Sequence, residues 1–124
     1  MIEGFGRIKR VGKSNELLID IDDLAVKQSS NNVRSGLIAG YAEVHARKLV
    51  ELGVQWSHCE IENSAGMGVH FIYTLKRKYD PSMIVALQFA LGSDPWREFM
   101  NLSRILGGAK EDGWNILFDV KVKS

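Results

Sequence analysis

Leu17-Leu18-Ile19-Asp20-Ile21-Asp22-Asp23 is an apolar run with acids at alternate positions. A period of two marks a strand, because successive side chains leave a strand on opposite faces. Leu17, Ile19 and Ile21 therefore share a core face, and Asp20 and Asp22 project together from the other. Two carboxylates side by side on a rigid strand suit Mg2+ or Mn2+, which take oxygen ligands and hold phosphates.

Working outward, Gly12-Lys13-Ser14-Asn15 reads as a turn, and an extended piece at residues 5–11 is expected to pair through it with residues 16–23. Residues 24–34, with Ser29-Ser30-Asn31-Asn32, read as a polar loop. Leu37, Ile38, Tyr41, Val44, Leu49 and Leu52 then recur at three- and four-residue spacing, the pattern of an amphipathic helix, with Gly53 as its C-terminal cap. Residues 54–62 and 67–75 read as two strands of a hairpin joined by Asn63-Ser64-Ala65-Gly66. Asp80-Pro81 starts a helix, since aspartate caps it and proline at the first position loses no useful donor. Gly92 interrupts that helix, Ser93-Asp94-Pro95 starts another, and Gly107-Gly108 stops it. Residues 114–122 make the last strand.

The order strand, helix, strand, strand, helix, strand predicts an α+β fold of the ferredoxin-like or RRM-like βαββαβ type, with an extra N-terminal strand possible. Its sheet is antiparallel, with the helices on one face and the other face open. In that plan the first and third strands are neighbours and the fourth lies beside the first. Alternation places Ile116, Phe118 and Val120 toward the core and Asn115, Leu117, Asp119 and Lys121 outward. Val69, Phe71, Tyr73 and Leu75 point inward, which leaves His70, Ile72 and Thr74 on the open face. Asp20, Asp22, Asp119 and His70 are thus expected to converge.

The chain has 124 residues, 45% of them hydrophobic and 25% charged, which suits one domain spanning residues 1–124. No apolar run reaches the ~18 residues of a membrane span, and the start lacks a secretory pattern, so no membrane partner and a cytoplasmic location are expected. The one cysteine, Cys59, excludes an internal disulfide and reads as a small buried hydrophobe. Net charge is only +1, yet cations cluster at Arg7 to Lys13, at Lys76-Arg77-Lys78 and at Lys121 and Lys123. Such clusters can hold phosphates, although each alone reads as solvated surface.

The acid-x-acid motif on the first strand, Ser64-Ala65-Gly66-Met67-Gly68-Val69-His70 on the hairpin and the hydrophobic-Asp pair at Phe118-Asp119 together resemble the catalytic core of the archaeo-eukaryotic primase superfamily. This superfamily includes primase small subunits and primase-polymerases. The resemblance runs from about Leu17 to Lys121 and implies a metal-dependent nucleotidyltransferase of replication. It implies that Asp20, Asp22 and Asp119 bind Mg2+ or Mn2+ and are catalytic. Ser64 and His70 would contact the phosphates of an incoming nucleoside triphosphate, Gly66 and Gly68 would let backbone approach, and Lys121 joins that nucleotide-binding set. A DNA or RNA template and a partner primase subunit or second copy are the implied partners. Neither the extra amino-terminal αβ module nor the zinc element that family members often carry is visible in these 124 residues.

The same residues also admit a non-catalytic ferredoxin-like protein that binds nucleic acid or serves as an oligomeric accessory. His45 and His58 gain no partner from the pattern and read as structural. Trp56, Trp96 and Trp114 read as core or subunit packing. Arg97 and Arg104 share a helix face that could grip phosphate but read as surface, and Glu60 and Glu62 read as a solvated edge.

Overall fold

The computed structural model describes residues 8–64, 68–110 and 113–118. Their elements run β1 (Ile8–Val11), β2 (Glu16–Ile21), α1 (Leu24–Gln28), α2 (Asn31–Glu51), β3 (Trp56–Asn63), β4 (Val69–Leu75), α3 (Pro81–Ala90), α4 (Pro95–Leu106) and β5 (Ile116–Phe118). The fold is mixed α+β with antiparallel sheets and, among the described residues, four helices. None of those helices is long and apolar enough to cross a membrane.

The main sheet has the order β2-β4-β3, so the first and third strands of the expected plan are neighbours. Leu17, Ile19 and Ile21 of β2 and Val69, Phe71, Tyr73 and Leu75 of β4 are buried on one face, against Leu49 of α2 and Ile84 and Leu87 of α3. This is the helix-covered core that alternation predicts. At the end of α2, Gly53 takes a φ of +71°, a conformation glycine adopts without a side-chain penalty.

The strand at the chain's end departs from expectation. Among the described residues β5 pairs antiparallel with β1, as a separate two-stranded sheet, and not with β2. The N-terminal extended piece likewise pairs with β5 and not with residues 16–23. The physical reason lies at the free edge of β2, which is already filled by the α3–α4 corner. There Leu18 N–H donates to Gln88 Oε1 (2.8 Å), Asp20 N–H donates to Ser93 Oγ (2.9 Å), and the Asp20 carbonyl accepts from Asp94 N–H (2.7 Å). Arg97 Nη1 donates to the Leu18 carbonyl at 2.8 Å. With its edge groups satisfied, β2 offers no ladder to another strand.

The face expected to be open is partly covered. Leu117 of β5 packs on Leu18 and Ile72, and Arg10 of β1 reaches Glu16 at 2.5 Å and Glu60 at 3.3 Å. Leu117 thus meets the predicted face, but from a second sheet laid on it. Asn115, expected to face outward, is fully buried with φ +55°.

Residues 24–34 are also not a loop. Asp23 caps α1, accepting from Ala25 N–H at 2.8 Å, and α2 begins at Asn31. The polar run Ser29-Ser30 only separates the two helices.

Candidate functional site

The register of the main sheet sets the site. Asp20 stands opposite His70 across β2 and β4, and His70 stands opposite Glu62 across β4 and β3. An acid–histidine–acid row therefore crosses all three strands on the face away from the helices. His70 Nε2 lies 3.5 Å from Asp20 Oδ1, and His70 Nδ1 lies 3.8 Å from Glu62 Oε1. Asp20 and His70 are buried, and among the described residues His70 Nδ1 has no hydrogen-bond partner. A buried ring nitrogen without a partner loses the water it would otherwise bind, so it favours any polar group brought to it.

The hairpin end is held closed beside this row. Ser64 N–H donates to the Gly68 carbonyl at 3.0 Å. Arg34 of α2, itself buried, donates to the same carbonyl (2.9 Å), to Asn63 Oδ1 (2.7 Å) and to the Val26 carbonyl (3.1 Å). One guanidinium thus ties α1 and α2 to the hairpin, which suits its fixed fork of donors. Gly68 is required there, because a Cβ would stand 2.6 Å from the Ile21 carbonyl oxygen and 3.0 Å from Ser64 Oγ. What crowds Gly68 is β2 and Ser64 of the protein itself, whereas the expectation for this glycine is a backbone approach to nucleotide phosphates.

The structure brings together Asp20, His70, Ser64 and Gly68 at one end of the sheet, but it does not bring Asp22 into the row. Asp22 lies past the end of β2, is exposed and pairs with Lys27. Its strand has already ended, so the alternation that aligned it with Asp20 no longer applies. Its neighbour Asp23 is a helix cap whose other carboxylate oxygen accepts from the Tyr41 hydroxyl. That bond holds the Asp23 carboxyl below the usual range, while burial, with Asp23 adding to it, pushes the Tyr41 phenol up to about 12. Asp119, Lys121 and Gly66 lie outside the described residues. Among the described residues, no three His, Cys, Asp or Glu side chains are grouped so as to hold a metal ion.

Two contributors escaped the sequence reading. Glu62 was assigned to a solvated edge, although its register with His70 follows once the hairpin is paired. Arg34 sits three and seven residues before Leu37 and Tyr41, on the inward stripe of α2, and that placement of a cation was the available signal. Arg97, expected at the surface, is bound inside the protein by Leu18, Glu98, Asn115 and Ile116. It is therefore committed to structure. Trp114 is buried and Trp56 half-buried, whereas Trp96 is exposed.

Compared with protein-family models, with curated proteins and with solved structures, the chain finds no match in any of the three.

Proposed function

We propose that the Asp20–His70 end of the sheet is a nucleotide-phosphate site, and that the reaction class is metal-dependent nucleotidyl transfer of the primase-polymerase kind. The observation that carries the reading is the register. It sets the first acid of the Asp-x-Asp motif against the histidine of the Ser64-to-His70 motif, 3.5 Å apart. The order β1, β2, α1, α2, β3, β4, α3, α4, β5 contains the succession strand, helix, strand, strand, helix, strand, which supports the reading, although among the described residues β5 pairs with β1 and not with β2.

In this reading His70 in its protonated form has two donors, Nε2 toward Asp20 and Nδ1 toward a phosphate oxygen. Ser64 sits at the rim and supplies a hydroxyl. Of the three expected metal-binding carboxylates, Asp20 would serve from β2, Asp22 would have to leave Lys27, and Asp119 lies outside the described residues. Bound Mg2+ or Mn2+ would activate the attacking hydroxyl and stabilise the leaving pyrophosphate. The test is extension of a labelled primer on a template in Mn2+. Wild-type protein is expected to extend it, and Asp20→Asn and His70→Ala to lose at least about 100-fold in rate. A folded Asp20→Asn variant as active as wild type would overturn the assignment.

A second reading, assembly through helices, is favoured by a separate observation. No charged residue occurs from Pro81 to Ser93, and a helix apolar on all sides belongs in an interior. Yet Phe89 is 57% exposed, Trp96 71% and Phe99 60%. They border a groove of about 650 Å³ between α3 and α4, with Trp96 and Phe99 stacked 6.1 Å apart. The one charged residue in the groove's lining, Glu98, is buried and bonded within the protein, so the face meets its own copy across a two-fold axis without repulsion and a second copy of the chain is the occupant. Light scattering is expected to give a dimer for wild type and a monomer for Trp96→Glu. A wild-type monomer at 100 µM (about 1.4 mg/mL) would exclude this face as a dimer interface.

A further inference from the structure

The geometry points to a second, separate surface: a basic end of the molecule that binds single-stranded nucleic acid. Two segments distant in sequence are stitched together there. Leu75 N–H donates to the Asn15 carbonyl (2.7 Å), and Tyr79 N–H donates to the Ser14 carbonyl (2.9 Å). These bonds fasten the turn at residues 12–15 to the loop at residues 76–80. Lys13 is thereby set beside Lys76, Arg77 and Lys78. Lys110 follows Ala109, which shares with Ser14, Lys78, Tyr79 and Trp114 the wall of a depression of about 380 Å³.

All five cations are exposed, and none has an ion-pair partner among the described residues. Four cations elsewhere are paired: Arg10 with Glu16, Lys27 with Asp22, Arg47 with Glu43 and Arg97 with Glu98. Among the described residues of these segments the five cations face one exposed acid, Asp80, so this end is net positive although the chain carries only +1.

The patch carries more than charge. The Arg77 guanidinium carbon lies 4.6 Å from the centroid of the Tyr79 ring, which is itself partly buried against the core, so Tyr79 backs an exposed guanidinium on whose outer side an unpaired base can stack. Stacking needs an open base face, which a single strand offers and a duplex does not. A membrane surface fits less well, because none of the exposed large hydrophobic side chains belongs to these segments. This surface is also distinct from the Asp20–His70 row. It lies beyond the Glu16 end of β2, and four residues of strand from Asp20 to Glu16 span about 13 Å. It does not depend on the nucleotidyl-transfer reading.

The probe is fluorescence anisotropy of a labelled twelve-nucleotide oligothymidylate with the full chain. Five phosphate contacts predict that affinity falls about 100-fold between 50 and 200 mM salt. The triple charge reversal Lys76→Glu, Arg77→Glu, Lys78→Glu is expected to abolish binding while leaving thermal unfolding unchanged. Tyr79→Ala is expected to weaken the oligonucleotide about 10-fold and inorganic polyphosphate hardly at all, since only the former stacks. The proposal is overturned if the oligonucleotide does not bind at 50 mM salt, or if the folded triple variant binds equally well. It is also overturned if polyphosphate, duplex or anionic phospholipid vesicles compete as strongly as the single strand.

Discussion

Replacing Glu98 with alanine is expected to lower the stability of the domain by about 3–5 kcal/mol, the cost of breaking a buried ion pair by removing one partner. Glu98 is fully buried, and its two oxygens are shared among four donors. Oε1 accepts from Gln88 Nε2 (2.7 Å) and Asn101 Nδ2 (3.1 Å), and Oε2 accepts from Ser93 Oγ (2.8 Å) and Arg97 Nη1 (2.6 Å). Those partners hold other parts in turn. Gln88 and Ser93 fill the β2 edge, Arg97 and Asn101 fix Asn115, and the Asn115 carbonyl accepts from Gly12 N–H at 2.9 Å. Without the carboxylate, Arg97 becomes a buried charge with no counter-ion. Small domains are stable by only about 5–15 kcal/mol, so the loss is a large fraction of the total. Urea unfolding checks it: the midpoint should fall by roughly 2 M. A shift worth less than about 1 kcal/mol, the scale of an exposed pair, would show that the network is not a buried one.

The second large effect is a pH dependence carried by His45. This ring is 1% exposed, with Nε2 2.8 Å from the Leu91 carbonyl and Nδ1 2.9 Å from the Tyr73 hydroxyl. A carbonyl only accepts, so Nε2 bears the proton and Nδ1 accepts from Tyr73, which fixes the neutral tautomer. Burial pulls the His45 pKa down to about 4, and Lys48 adds to the effect. In the unfolded chain the ring titrates near 6.5. Below that pH the unfolded state takes up a proton that the folded state refuses. Stability from this group is therefore complete above pH 6.5 and falls as the pH drops toward 4, by about 3 kcal/mol in all. Below 4 both states are protonated and the loss stops. Chemical unfolding at several pH values should trace this window, and His45→Gln, which can still donate to Leu91 and accept from Tyr73, should flatten it. A His45 resonance titrating near 6.5 in the folded protein would contradict the account.

What could be read from the sequence was what short-range pattern encodes. The helix over Leu37 to Leu52, its glycine stop, the hairpin, and the two Asp-Pro helix starts all follow from spacing and capping. Facing Asp20 with His70 needed one further assumption, that the first and third strands are neighbours, and it holds. The partner of β5 could not be read, because it depends on three side chains, Gln88, Ser93 and Arg97, and the Asp94 N–H reaching the β2 edge from the α3–α4 corner, contacts separated by 70 residues or more. No local period announces a glutamine or serine that substitutes for a strand. The same applies to Glu98 and Arg97, which look like surface charges on an amphipathic helix until β2 and Asn115 close over them. Asp22 was misplaced for a simpler reason: alternation was extended one residue beyond the strand.

The central claim is that Asp20 and His70 form one site for nucleotide phosphates. Calorimetric titration of a non-hydrolysable nucleoside triphosphate with Mn2+ tests it most directly. The account predicts saturable binding to the wild type that is lost in a folded Asp20→Asn variant and retained in the Lys76, Arg77, Lys78 charge reversal. Absence of binding to the wild type, or undiminished binding to Asp20→Asn, would contradict it.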